Sequence, residues 1–81
     1  MATADIILDE LERITGTDEV RNNLDLALYD EDVLDSLGTV ELIVALGEKF
    51  NLEISPAQIT RPLWATPSLI IQYVEERLQV S

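Results

Sequence analysis

The sequence predicts an all-α fold: a bundle of three main helices plus one short helix, with a long first loop. Three observations carry that prediction. Apolar residues recur at helical spacing in three separate segments. Glycine, proline and capping residues fall at the ends of those segments. The one stretch that alternates like a strand has no second strand to pair with, and unpaired backbone argues against a sheet.

The first helix is expected from near Thr3 to about Thr15. Ile7, Leu11 and Ile14 follow at steps of four and three, with Leu8 beside them, while Asp9, Glu10, Glu12 and Arg13 fill the other face. Gly16 stands where the helix should stop. From Thr17 to Asp35 no helical period persists. Leu24, Leu26 and Leu28 alternate with polar or small residues, and they read best as anchors that pin a long loop to the helices. A loop of this length in a small domain is uncommon and often functional.

The second helix should start at Asp35 or Ser36 and end at Phe50, with Asn51 as its C-terminal residue. On a helical projection from Ser36, Leu42, Ile43, Leu46 and Phe50 fall between about 240° and 340°, and Leu37, Val40 and Val44 between about 40° and 100°. A core-facing stripe needs only about 100°, so this helix is apolar on two sides and only one of them is required by the core. Val40 and Val44 also have a core reading, since bundle helices are often apolar over a broad face. Ser55-Pro56-Ala57-Gln58 reads as a capped helix start with proline in the first turn, cut short by Pro62. Thr66-Pro67 opens the last helix, which runs to about Val80 on Ile70, Val74 and Leu78, with Ile71 alongside.

Composition narrows the function. The 81 residues hold 16 acids against 5 bases, a formal net charge of -11, and neither Cys nor His. Leu, Ile, Val and Phe together number 28 of 81, well above the roughly 20% typical of disordered chains. One domain over 1–81, with a radius of gyration of roughly 12 Å, is expected. Zinc fingers, iron–sulfur clusters, disulfide scaffolds and Cys–His or Ser–His catalysis are excluded by the missing residues. Nucleic acid is not an expected partner, because phosphate repels a protein this acidic. The longest apolar run, Leu42 to Leu46, is far below the ~18 residues of a membrane span. A monomeric, cytoplasmic protein, not inserted in a membrane, is the expectation.

Asp35-Ser36-Leu37 joins the acidic loop to the apolar helix. Its plain reading is a helix cap. Its chemical reading is that Ser36 projects where the chain turns, within reach of another protein, preceded by Asp30, Glu31, Asp32 and Asp35 and followed by Leu37, Val40 and Val44. A nucleophilic serine needs a base; the chain has no His, and Lys49 lies about four helical turns away. We therefore expect no catalytic residue and no enzyme activity. A serine modified by another enzyme needs no internal base.

The whole chain resembles the acyl carrier protein family, whose signature is a serine in Asp-Ser-Leu opening the second main helix. The fold implied is the acyl-carrier-like bundle. The resemblance implies a 4′-phosphopantetheine arm on Ser36 through a phosphodiester, and a partner-facing helix from Leu37 to Glu48. Within the family the chain is most similar to the D-alanyl carrier proteins of teichoic acid D-alanylation. Asn23-Leu24-Asp25-Leu26-Ala27-Leu28 and Leu34-Asp35-Ser36-Leu37-Gly38-Thr39-Val40 match theirs, and Arg61-Pro62-Leu63-Trp64-Ala65-Thr66-Pro67 matches their Arg-x-x-Trp-x-Thr-Pro segment. Ile59-Thr60 departs from the aromatic and acid expected before Arg61.

That resemblance implies three kinds of partner: a phosphopantetheinyl transferase, a D-alanine-activating ligase that uses ATP, and membrane-bound D-alanyl transfer machinery serving lipoteichoic and wall teichoic acid. Asp35, Leu37, Val40, Glu41, Val44 and Glu48 are the expected docking residues, an apolar centre ringed by acid. Twelve of the 16 acids lie in residues 1–41, which should draw basic patches on those enzymes. Trp64 is expected to be core, acting on the arm only indirectly. A small D-alanyl cargo carries an ammonium and gains nothing from an apolar tunnel, so no deep cargo pocket is expected.

Three other readings stay open. Asp30, Asp32 and Glu41 match positions 1, 3 and 12 of a calcium loop, but Leu34 and Asp35 fall where an oxygen ligand and glycine are needed; no metal is expected. A carrier for another acyl or peptidyl pathway, or a non-carrier helical interaction module with Ser36 as a cap or phosphorylation site, are the alternatives.

Overall fold

Five elements appear in a computed structural model that describes residues 3–80. They are α1 (Thr3–Thr15), α2 (Glu19–Asn22), α3 (Ser36–Phe50), a 3-10 turn (Pro56–Gln58) and α4 (Pro67–Val80). Residues 1, 2 and 81, the ends of the expected 1–81 domain, lie outside the described residues. No strand occurs among the described residues, and α1 packs against both α3 and α4. The Cα radius of gyration is 11.4 Å.

α1 forms where its apolar spacing predicts, burying Ile7, Leu8 and Leu11. It ends at Gly16, whose φ of +75° is a conformation glycine adopts without steric cost. α3 buries Leu42, Ile43 and Leu46. At its far end Asn51 adopts the left-handed conformation (φ 54°, ψ 47°) and donates its N–H to the Gly47 carbonyl, which also accepts from Leu52 at 3.0 Å. These bonds satisfy a carbonyl that the helix end leaves free. Near the start of α3, Gly38 is buried, and a Cβ there would lie 2.9 Å from Leu34 Cδ1 and 3.3 Å from Ile14 Cγ2. A glycine is what allows α3 to approach the end of α1 this closely.

Two local expectations are corrected. The stretch read as a featureless loop contains α2, a single turn whose Val20 is fully buried. Four residues are too few to display a hydrophobic period, and tertiary contacts hold the turn. Arg21 reaches across to α1, donating from Nε to Glu12 at 3.1 Å, pairing with Asp9 and lying 3.6 Å from Asp5. The hydrogen bond with Glu12, helped by the surrounding carboxylates, pushes the Arg21 pKa up. The second correction concerns Ser55. Its side chain makes no capping bond; its backbone carbonyl accepts from Gln58 at 3.0 Å, closing a three-residue turn too short for a side-chain cap.

The rest of the first loop behaves as anchored chain. Leu26, Leu28 and Leu34 are buried, while Leu24 is exposed. Leu28 donates to the Ala65 carbonyl at 2.9 Å, and Ser68 donates to the Leu24 carbonyl at 3.0 Å. These bonds tie the loop to the segment that enters α4, where Thr66 Oγ1 accepts from Leu69 at 3.2 Å. Trp64 is completely buried in that segment, its ring edge-on to Tyr73 with centroids 5.8 Å apart. The expected core role for Trp64 is what the structure has.

Candidate functional site

The site begins with a division of labour between two neighbouring residues. Asp35, in extended conformation (φ -113°, ψ -175°), is the N-cap of α3. Its Oδ1 accepts from the Gly38 N–H at 2.7 Å, satisfying one of the donors that a helix start leaves free. Ser36 is then the first helical residue, exposed, and its hydroxyl makes no hydrogen bond among the described residues. The sequence left the cap open between these two; the structure gives it to Asp35, so the Ser36 oxygen is uncommitted.

That assignment has a measurable consequence. Asp35→Ala should cost about 1 kcal/mol of stability by loss of the cap, while Asp35→Asn keeps an acceptor and should recover most of it. Urea unfolding followed by circular dichroism reads both; equal midpoints for wild type and Asp35→Ala would show the cap to be idle.

Behind the serine, Thr39 donates to the Asp35 carbonyl at 2.8 Å. The Tyr29 hydroxyl lies 2.7 Å from Thr39 Oγ1. With the single Thr39 hydrogen committed to Asp35, Tyr29 is the donor. Tyr29 in turn carries Arg61, whose guanidinium carbon sits 5.2 Å from the ring centroid. An open groove of about 280 Å³ runs alongside Ser36, lined by Tyr29, Thr39, Val40, Ile43, Pro56, Ile59 and Arg61. Sequence reasoning had not brought Tyr29, Ile59 and Arg61 to the serine. They come from separate loops, and no local pattern announces their meeting.

All six expected docking residues, Asp35, Leu37, Val40, Glu41, Val44 and Glu48, are exposed. The core alternative for the valines is removed: Leu37 is 69% exposed, Val40 45% and Val44 55%. A second groove between α1 and α3 has Val40 and Val44 in its wall, with Glu10, Glu41 and Glu48 beside them. The acids divide into two groups. Asp5, Asp9 and Glu12 are occupied by Arg21 and Glu10 by Arg13. The other twelve acids have no ion pair among the described residues, and five of them, Asp30, Glu31, Asp32, Asp35 and Glu41, lie within six residues of Ser36 in sequence. No group of three or more acids among the described residues is arranged to hold a metal ion. No helix there is long and apolar enough to cross a membrane.

The geometry suits a covalently tethered phosphopantetheine: an accessible hydroxyl, and an adjacent groove whose lining mixes apolar side chains with polar ones, one guanidinium among them. Comparison with known proteins agrees. The family model described as "Phosphopantetheine attachment site" matches residues 5–74. A D-alanyl carrier protein of Enterococcus faecalis is 44% identical over 75 residues, covering 93% of this chain and 96% of that protein. One from Listeria monocytogenes is 41% identical over 75 residues with the same coverage. One from Lacticaseibacillus casei is 43% identical over 70 residues, 86% of each chain. With a helical fold, a match over most of its length and relatives at this identity, the chain belongs to the phosphopantetheine-attachment family of carrier proteins.

Proposed function

We propose that the protein is a D-alanyl carrier, with Ser36 as the residue that bears the 4′-phosphopantetheine arm. The observation that carries this is the free, exposed Ser36 hydroxyl at the start of α3, released from capping by Asp35. The names of the relatives support the choice of cargo. The arm supplies the thiol that this cysteine-free chain lacks, and holds D-alanine as a thioester.

The chain's own contribution is presentation. Ser36 Oγ is held outward on the first turn of a helix whose positive end favours an attached phosphate. A phosphopantetheinyl transferase removes the Ser36 proton and joins the oxygen to the arm's phosphorus, displacing the nucleotide part of coenzyme A. A separate ATP-dependent ligase loads D-alanine, and membrane-bound acyl-transfer machinery receives it for teichoic acid. The chain provides no catalytic group for any of these steps and works in the cytoplasm as a monomer. Leu37, Val40 and Val44 form the apolar centre of each encounter, with Asp35, Glu41 and Glu48 around them. High charge and modest apolar area suit brief, reversible docking.

The test is intact mass after incubation with coenzyme A and a phosphopantetheinyl transferase. Wild type is expected to gain one phosphopantetheinyl group and Ser36→Ala none. An unmodified wild type overturns the carrier reading; a modified Ser36→Ala overturns the site. Offering the modified protein separately to a D-alanine ligase and to an acyl-chain synthetase then decides the cargo.

A further inference from the structure

We propose that Arg61, seated on the Tyr29 ring, is the positioning residue that receives the phosphodiester attached to Ser36. The inference rests on the carrier reading above and extends it to the side of the protein where the arm lies.

The electrostatic problem is plain. Modification adds a negative charge to a chain whose net charge is already -11, next to Asp35 and close in sequence to Asp30, Glu31 and Asp32. The helix start offsets part of this, but its Gly38 N–H already serves the Asp35 carboxylate. A nearby cation would offset the rest. Of the five bases, Arg13 is paired with Glu10, Arg21 with the carboxylates of α1, and Arg77 donates to the Glu53 carbonyl and the Tyr73 hydroxyl. Lys49 lines the groove between α1 and α3. Arg61 is the base that shares a groove with Ser36, and it has no ion pair among the described residues.

Its position is built rather than incidental. The Tyr29 face holds the guanidinium by cation–π attraction, the Tyr29 hydroxyl is fixed on Thr39, and Thr39 is fixed on the carbonyl of the residue preceding Ser36. A chain of contacts therefore runs from the modified residue's own cap to the guanidinium. Arg61 makes no hydrogen bond or ion pair among the described residues, so its planar N–H fork is uncommitted and can serve a phosphate. Beyond that point the groove is walled by Ile43, Pro56 and Ile59, which suits the branched hydrocarbon of the arm.

The experiment compares modified wild type with modified Arg61→Gln and Arg61→Lys by phosphorus-31 and proton–nitrogen NMR, after intact mass has established that each bears the arm. The expected results are a shift of the Arg61 Nε–Hε signal when wild type is modified, and contacts from arm protons to Tyr29 and Ile59. In Arg61→Gln the phosphorus resonance should move toward that of a phosphopantetheinyl-serine peptide and the contacts should be lost. Arg61→Lys, which keeps charge without the fork, should fall between. Unchanged phosphorus resonance and arm contacts in Arg61→Gln overturn the role of Arg61 and leave the carrier reading standing. Failure of wild type to gain the arm overturns both. A merely structural role for Arg61 would shift the unfolding midpoint without moving the phosphorus signal.

Discussion

Replacing Trp64 with alanine is expected to remove about 3 kcal/mol of stability, the low end of the range for deleting a large buried aromatic. The ring is completely buried and meets Tyr73 of α4 edge-on at 5.8 Å, so alanine leaves a cavity where loop and helix meet. The low end is chosen for a specific reason. Trp64 Nε1 is buried with no hydrogen-bond partner among the described residues; a buried donor left unpaired costs about 1–3 kcal/mol, and the substitution removes that donor. A protein of this length has only about 4–12 kcal/mol in total, so the loss is a large fraction. With a urea slope near 1 kcal/mol/M, the low end for small proteins, the midpoint should fall by about 3 M, read by circular dichroism because the substitution removes the only tryptophan. Trp64→Phe separates the two contributions. It keeps most of the packing and removes the orphan N–H, so it should cost less than about 1.5 kcal/mol. A Trp64→Phe cost well above that would mean that the indole N–H is hydrogen-bonded, and equal losses for the two variants would mean that the ring's packing contributes little.

The same residue marks how far the sequence could be read. α1, α3 and α4 were legible because each is long enough to repeat its apolar spacing and each is bounded by recognisable residues: Gly16 after α1, Asn51 after α3 and Thr66-Pro67 at the start of α4. α2 was not, because one turn cannot display a period and Glu19–Asn22 is held by Val20 burial and by Arg21 reaching the carboxylates of α1. Ser36 was legible as a position with unusual neighbours. Its groove was not, because Tyr29 and the Ile59–Arg61 stretch lie on segments far apart in sequence, brought together by tertiary contacts such as that of the Leu28 N–H with the Ala65 carbonyl. The two-sided apolar pattern of α3 lay between these cases. The sequence showed that one side exceeded what the core needs, but only the folded arrangement shows Val40 and Val44 left outside.

That outward side supports the other large effect. Val44→Asp, and more strongly Val40→Asp with Val44→Asp, is expected to lower the efficiency of D-alanine loading about tenfold or more while leaving the fold intact. Both valines are about half exposed, so the substitution removes little buried area, and surface changes of this kind usually alter stability by no more than about 0.5 kcal/mol. On the proposed docking role, the same side chains would become the dry centre of a contact ringed by Glu41 and Glu48. Truncating central interface residues commonly costs about 2 kcal/mol or more, and 1.4 kcal/mol is already tenfold in affinity. A new carboxylate adds an unpaired charge at the point from which water is excluded. Because the change acts on the encounter and not on the arm, KM of the ligase for the modified carrier should rise with kcat nearly constant. Glu41→Gln at the rim should do less, chiefly slowing association and weakening its dependence on salt. A loading rate unaffected by the double aspartate variant, with its mass and unfolding midpoint normal, would place the docking surface elsewhere on the molecule.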